Sequence, residues 1–220
     1  MNRLFLIVFM NLGFLIYVYS QLNETIMVES FDFEAVKDPP HWVILKKGDW
    51  VIEIRYSNQT MQGVQKEYAP ARDFYVIQKD FHQNGIISSY VKALGSVAIG
   101  ERRFYDETGK LIKVIDEDAK FGNIKPGDMV CILEKIGWIN RKTGENTIRD
   151  TILPTDGNFY RSIERNLNII FVPAEYDEDG KEIKPPIWTA FYMSHMRYDC
   201  IVDGNTGEYR LEVHSWSIII

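Results

Sequence analysis

The sequence predicts an α+β fold, a mostly antiparallel β-sheet with one amphipathic helix packed on its C-terminal part. Short segments rich in Val, Ile, Tyr and Phe recur between turn signals, which is typical of antiparallel strands. One segment has the apolar spacing of a helix that covers a core. With 220 residues, of which 45% are hydrophobic and 25% charged, the composition is that of a globular chain of one or two domains.

Residues 1–20 have the pattern of a secretory signal peptide. A short basic start is followed by the apolar segment Leu4–Tyr19, which is shorter than the ~20 residues that a membrane-spanning helix needs. Val18 and Ser20 fit a signal-peptidase site, so we expect cleavage before Gln21. An uncleaved N-terminal membrane anchor is the alternative. The mature protein is therefore expected to be exported, and to be periplasmic or extracellular.

An N-terminal β-rich meander is predicted over residues 21–118. Turn signals that contain Gly48, Gly85 and Gly109 separate its segments. The candidate strands are Trp42–Leu45, Trp50–Tyr56, Phe74–Gln78, Gly85–Lys92, Val97–Tyr105 and Lys110–Ile115.

Two segments of this meander are alike. Phe81–Ile87 and Tyr105–Ile112 each run from an aromatic residue through a polar turn and a glycine into an apolar strand. Over about residues 81–115 the pattern resembles the short β-hairpin repeats of MORN-type antitoxin-like proteins. The resemblance implies hairpins, and it adds a toxin-neutralising, immunity-like role to the alternatives. A third copy of the turn, Tyr176–Lys181, runs into two prolines and is expected to be a loop.

One amphipathic helix is predicted over Pro126–Ile136. Proline suits the first helical position, and Gly137 suits the position just after the end. At 100° per residue the apolar side chains cluster on one face of this helix. They are Met129, Val130, Ile132, Leu133 and Ile136. The helix is therefore expected to cover a sheet.

A C-terminal part, residues 119–220, is predicted to combine this helix with a second antiparallel sheet. Its candidate strands are Phe159–Ile163, Asn168–Val172, Ile187–Met193, Met196–Val202 and Glu208–Trp216. The last two are joined by the turn Asp203–Glu208. In the register that separates apolar from polar residues, three apolar pairs face each other: Val202–Tyr209, Cys200–Leu211 and Tyr198–Val213. This apolar side is expected to belong to the core.

The C-terminal part resembles the PepSY domain family of exported bacterial proteins. The matching pieces are Ile124–Gly137, the strand Tyr198–Asp203 and the turn Thr206–Glu208. The resemblance spans about residues 124–213, with a long insertion at 140–184. It implies one helix against an antiparallel sheet, and a role in binding or inhibiting envelope proteins without a catalytic motif.

The polar side of the final hairpin is the candidate binding surface. It carries His195, Arg197, Asp199, Arg210, Glu212, His214 and Trp216. An aromatic residue on a polar face suits a contact anchor, which singles out Trp216. Imidazole and carboxylate groups at this range could also hold a metal ion, but two arginines among them would repel a cation. We therefore expect no metal site.

The chain has two cysteines, Cys131 and Cys200. In an exported protein such a pair suggests a disulfide. However, Cys131 lies opposite the apolar face of its helix, whereas Cys200 is predicted to point into the core. A disulfide needs Cα atoms within about 7 Å, so we expect two separate thiols.

The sequence gives no support for a catalytic centre. It has no G-x-S-x-G, no phosphate-binding G-x-x-x-x-G-K and no H-E-x-x-H. A net charge of −6, with basic residues in runs no longer than pairs, disfavours nucleic acid and anionic membranes as partners. We expect a non-enzymatic module of the bacterial cell envelope that binds another envelope or secreted protein or a peptide, without a cofactor. The alternative is an envelope hydrolase that acts on glycan or peptide through loop carboxylates.

Overall fold

The computed structural model describes residues 29–39, 41–70, 73–142, 167–193 and 196–215. These residues form antiparallel sheets and one α-helix, so the α+β prediction is confirmed. The predicted signal peptide at 1–20, the candidate strand at 159–163, and the surface residues His195 and Trp216 lie outside the described residues. No helix in the described ranges is both long enough and apolar enough to cross a membrane.

A seven-stranded meander occupies the N-terminal half. Its strands are β1 (Trp42–Lys47), β2 (Trp50–Ser57), β3 (Gln62–Tyr68), β4 (Val76–Phe81), β5 (Ile87–Leu94), β6 (Val97–Tyr105) and β7 (Leu111–Asp116). Each strand pairs antiparallel with the next, in the order β1 to β7. On one face of the sheet, an N-terminal segment with a 3-10 turn at Glu34–Val36 packs Phe31 and Val36 against Ile54 and Phe81.

β3 is a strand that the sequence analysis did not predict. Its segment is mostly polar, but it lies between β2 and β4 and is hydrogen-bonded on both sides. The polar side chains find partners across the sheet. Lys79 Nζ lies 2.5 Å from Glu67 Oε1 and 2.6 Å from Glu29 Oε1. Pairing on both sides therefore makes a strand of a segment with little β-propensity of its own.

The helix α1 (Pro126–Lys135) begins and ends close to the predicted positions. The carboxylate of Asp128 accepts a hydrogen bond of 2.9 Å from the backbone N–H of Lys125 at its start. Gly137 adopts φ 76° after its end, as a helix-terminating glycine does. Met129 and Leu133 are fully buried, which confirms the predicted apolar face.

The C-terminal strands form a four-stranded sheet and a small hairpin. They are β8 (Asn168–Val172), β9 (Glu175–Tyr176), β10 (Glu182–Lys184), β11 (Ile187–Met193), β12 (Arg197–Asp203) and β13 (Tyr209–His214). The four-stranded sheet has the order β13-β12-β11-β8, and α1 packs on it through a core that includes Trp188, Ala190 and Cys200. The helix-on-sheet prediction for this part is thus confirmed.

The segment expected to be a loop before the two prolines is instead the β9–β10 hairpin. Asp177 Oδ1 accepts hydrogen bonds from the backbone N–H groups of Asp179 (3.1 Å) and Lys181 (2.8 Å). Gly180 supplies the positive φ, 78°, that such a turn requires. The hairpin ends at Lys184, before the two prolines, so they do not remove any of its backbone hydrogen bonds. The loop prediction was therefore wrong.

The predicted register of the final hairpin is confirmed, but its predicted burial is only half right. Val202 and Cys200 are fully buried. Their apolar partners Tyr209, Leu211 and Val213 are 40%, 54% and 58% exposed. Among the described residues β13 is an edge strand of its sheet, and the buried core beneath α1 is built from β8, β11 and β12. Tyr209, Leu211 and Val213 therefore lie on the same side of the sheet as Cys200, as predicted, but α1 does not bury them.

The large sheet and the four-stranded sheet share one hydrophobic core. Leu94 and Val97 of the β5–β6 hairpin belong to the same buried cluster as Ile169 and Trp188. At the junction the backbone N–H of Ser96 donates a 3.0 Å hydrogen bond to the carbonyl of Ile169. The proposed division of the chain at residues 118 and 119 stays a prediction.

Candidate binding surface

Five of the seven residues predicted for the binding surface lie on one side of the β12–β13 pair. Arg197 is opposite His214, Asp199 is opposite Glu212, and Arg210 is opposite Ile201 on the same pair of strands. Because side chains alternate along a strand, this register places the five polar residues together on the side away from Cys200.

Asp199 is the centre of a polar network on this surface. Its side chain is only 6% exposed, and Oδ1 lies 2.8 Å from Arg197 Nε. Its other oxygen, Oδ2, lies 3.0 Å from His214 Nε2. Glu212 extends the network, with Oε2 at 3.4 Å from His214 Nε2 and Oε1 at 2.7 Å from Arg210 Nε. These contacts are what allow a carboxylate to be buried here, because an unpaired one would be strongly destabilising.

The charges of this network neutralise one another. The Arg197 guanidinium also stacks on Phe191 of β11, with Cζ 4.3 Å from the ring centroid. The hydrogen bond from Arg210 holds the pKa of Glu212 below its ordinary value. Each arginine therefore already has a carboxylate, and the network offers a partner little uncompensated charge.

The apolar side of β13 is the part of this region that sequence analysis missed as a candidate surface. Tyr209, Leu211 and Val213 alternate along the strand and are all exposed. Within the described ranges β13 pairs with β12 alone, so its outer edge carries unpaired backbone N–H and C=O groups. The alternation of apolar and polar residues along β13 could be seen in the sequence, but the position of β13 at the edge of its sheet could not.

Metal binding has no structural support in the described part of the chain. No three or more His, Cys, Asp or Glu side chains there are placed to hold a metal ion. The absence of a metal from the functional protein stays a prediction.

Both cysteines are free thiols. Cys131 is exposed on α1, and Cys200 is fully buried beneath that helix. Burial raises the pKa of Cys200 to about 11, because the thiolate would lose its hydration. The outward thiol predicted from the helix face and the inward thiol predicted from the hairpin register are both confirmed.

We expect iodoacetamide at about pH 8 to modify Cys131 and to leave Cys200 unmodified in the native protein, because only an accessible thiolate reacts. Intact mass should show one adduct per native chain and two after unfolding in urea. The variant Cys131→Ser should take up no label in the native state. Two adducts in the native state, or labelling that requires prior reduction, would contradict the arrangement.

Comparison of the chain with protein-family models, with curated proteins and with solved structures finds no match. The resemblances to PepSY domains and to MORN-type repeats therefore stay predictions. A function has to be argued from the surfaces of this chain.

Proposed function

We propose that this protein is an exported, non-enzymatic module of the bacterial cell envelope that binds an extended segment of another envelope or secreted protein along β13. The observation that carries the proposal is an exposed edge strand with three exposed apolar side chains at alternate positions. The signal-peptide pattern of residues 1–20 supports export.

Binding would occur by strand addition. The unpaired N–H and C=O groups of β13 would bond the backbone of an extended peptide, which supplies affinity without sequence preference. Preference would come from the side chains: alternate residues of the peptide would lie beside Tyr209, Leu211 and Val213. The bound segment is therefore expected to alternate apolar and polar residues.

The polar side of the hairpin would set the other half of this preference. The residues of the peptide that point away from Leu211 would lie beside Arg210 and Glu212, which already pair with each other. Small polar residues suit this position better than charged ones, because a charge would have to disrupt an existing pair. The preferred segment is thus valine-rich on one face and serine- or threonine-rich on the other.

A fluorescein-labelled peptide in which valine alternates with threonine tests the proposal by fluorescence anisotropy. We expect binding that Leu211→Arg weakens by at least about tenfold, because a charge replaces the central apolar contact. The same peptide with N-methyl groups on the backbone amides that face β13 should bind no better than background. Both losses are needed, since the first tests the side-chain contact and the second tests the strand pairing.

The matched control is Val114→Arg on β7, which is the edge strand of the other sheet and is also exposed. It should leave peptide binding unchanged. Equal losses from both arginine variants would indicate non-specific adsorption and contradict the proposal. Cleavage of the peptide during the titration, seen by mass spectrometry, would favour the hydrolase alternative instead.

A further inference from the structure

A cleft of about 330 Å³ lies between the large sheet and the start of β8. The sequence analysis did not identify it, and it is separate from β13. Its polar lining includes Lys66, Gln78, Arg102 and Asn168, and its apolar lining includes Val91 and Leu167. Its volume falls within the range of pockets that hold small organic molecules.

The floor of the cleft is one face of the central strands. Lys66 of β3 is opposite Gln78 of β4, and Gln78 is opposite Val91 of β5. Arg102 follows on β6, where its neighbour Arg103 pairs with Tyr90 and so points to the other face. A cation, an amide, an apolar side chain and a second cation therefore follow one another across four adjacent strands.

Lys66 brings a positive charge that the described part of the chain does not neutralise. It is partly buried, and no carboxylate in the described ranges lies within ion-pair distance of its Nζ. Glu53, directly opposite on β2, is already paired with Arg55 and accepts a 2.9 Å hydrogen bond from the Tyr68 hydroxyl. The carboxylate directly across from Lys66 is thus engaged by other residues.

Arg102 is only partly engaged. Its Nε is buried and lies 3.0 Å from Glu117 Oε1, yet it makes no hydrogen bond of acceptable geometry. The other oxygen of Glu117 is 2.7 Å from Lys120 Nζ. One carboxylate is therefore shared by two cations, Arg102 and Lys120.

Phe74 at the wall of the cleft has a strained backbone. Its φ is 51°, in the left-handed region that costs a non-glycine residue about 1–2 kcal/mol, while its side chain is 7% exposed. Strain of this kind persists where the surroundings over-determine a conformation, and it concentrates at ligand-holding sites. Phe74 belongs to the buried core and also lines the cleft, so the strained residue lies where the two meet.

We propose that the cleft binds a small organic carboxylate with an apolar body. The carboxylate pairs with Lys66, and the body packs against Phe74, Val91 and Leu167. Such a ligand supplies the carboxylate that Lys66 lacks within the described part of the chain. The apolar walls distinguish such a ligand from an inorganic anion, which has nothing to place against them.

Titration of phenylacetate into the purified protein by isothermal calorimetry tests this proposal. We expect a dissociation constant of about 1 mM, and binding of phenylacetamide at least about tenfold weaker because the amide lacks the charge. Inorganic phosphate should also bind at least about tenfold more weakly, because it lacks the apolar body. The comparison of acid with amide uses the unaltered chain, so it stands whether or not a variant folds.

Lys66→Gln should weaken phenylacetate binding by at least about tenfold, with the unfolding transition showing that the variant is folded. Lys46→Gln is the matched control, since Lys46 is exposed on β1 and lies on the same face of the sheet, outside the cleft. It should leave the affinity unchanged. No binding by about 10 mM phenylacetate, equal binding of the amide, tighter binding of phosphate, or equal losses in both variants would each overturn the proposal.

Discussion

Replacing Trp188 by alanine is expected to lower the free energy of unfolding by about 3–5 kcal/mol, the usual cost of deleting a fully buried aromatic side chain. Trp188 is 0% exposed. Its ring stacks on Phe121 with centroids 4.9 Å apart, and the centroid of Phe171 is 4.7 Å away. Alanine would leave a cavity where the helix layer, the sheet and the connecting segment meet.

The indole of Trp188 also has a polar role. Nε1 donates a 3.0 Å hydrogen bond to the backbone carbonyl of Ile124, just before α1. Trp188→Phe keeps an aromatic ring but leaves this carbonyl without its donor, so we expect a smaller loss of about 1–3 kcal/mol. Urea unfolding followed by far-UV circular dichroism measures both values. A loss below about 1 kcal/mol for the alanine variant would show that Trp188 does not organise this core.

Gly95→Ala is expected to cost about 3 kcal/mol, which is unusual for a turn residue. Gly95 has φ 60°, a conformation that costs an alanine about 1–2 kcal/mol. In addition, a Cβ at this position would lie 2.8 Å from the backbone nitrogen of Ile169 and 3.0 Å from its Cβ. These atoms belong to β8 and cannot swing away, so overpacking adds about 1–3 kcal/mol.

Gly48→Ala is the control that separates the two costs. Gly48 occupies the same position in the β1–β2 hairpin, with φ 61°, and a Cβ there would meet no atom within 4 Å. It should cost about 1–2 kcal/mol, the conformational cost alone. Urea unfolding of the two variants gives the difference directly. Equal losses would mean that the contact between Gly95 and β8 adds nothing to stability.

The outcome for β3 shows why part of the fold could not be predicted from the sequence. Gln62–Tyr68 has few of the β-branched and aromatic residues that indicated the other strands. It is a strand because β2 and β4 bond it on both sides and because Glu67 pairs with Lys79. These partners come from other parts of the chain, and a local pattern does not contain them.

The candidate sites also include one part that could be predicted from the sequence and others that could not. The polar side of the final hairpin could be predicted from alternation and a turn, and five of its residues lie together as the register requires. The exposure of Leu211 could not be predicted, since it depends on how far α1 reaches across the sheet. The cleft could not be predicted either, because its lining comes from Lys66, Val91 and Leu167, which are distant in the chain and come together only when both sheets have formed.

Features that depend on adjacent residues could be predicted from the chain alone. Proline and glycine placed the ends of α1, a polar turn set the register of β12 with β13, and alternation assigned side chains to faces. Contacts between distant segments set which strand lies at an edge, which apolar face is exposed, and which cations lack a carboxylate partner. Local propensity acts over a few residues, whereas burial and charge pairing depend on segments that only the completed sheets bring together.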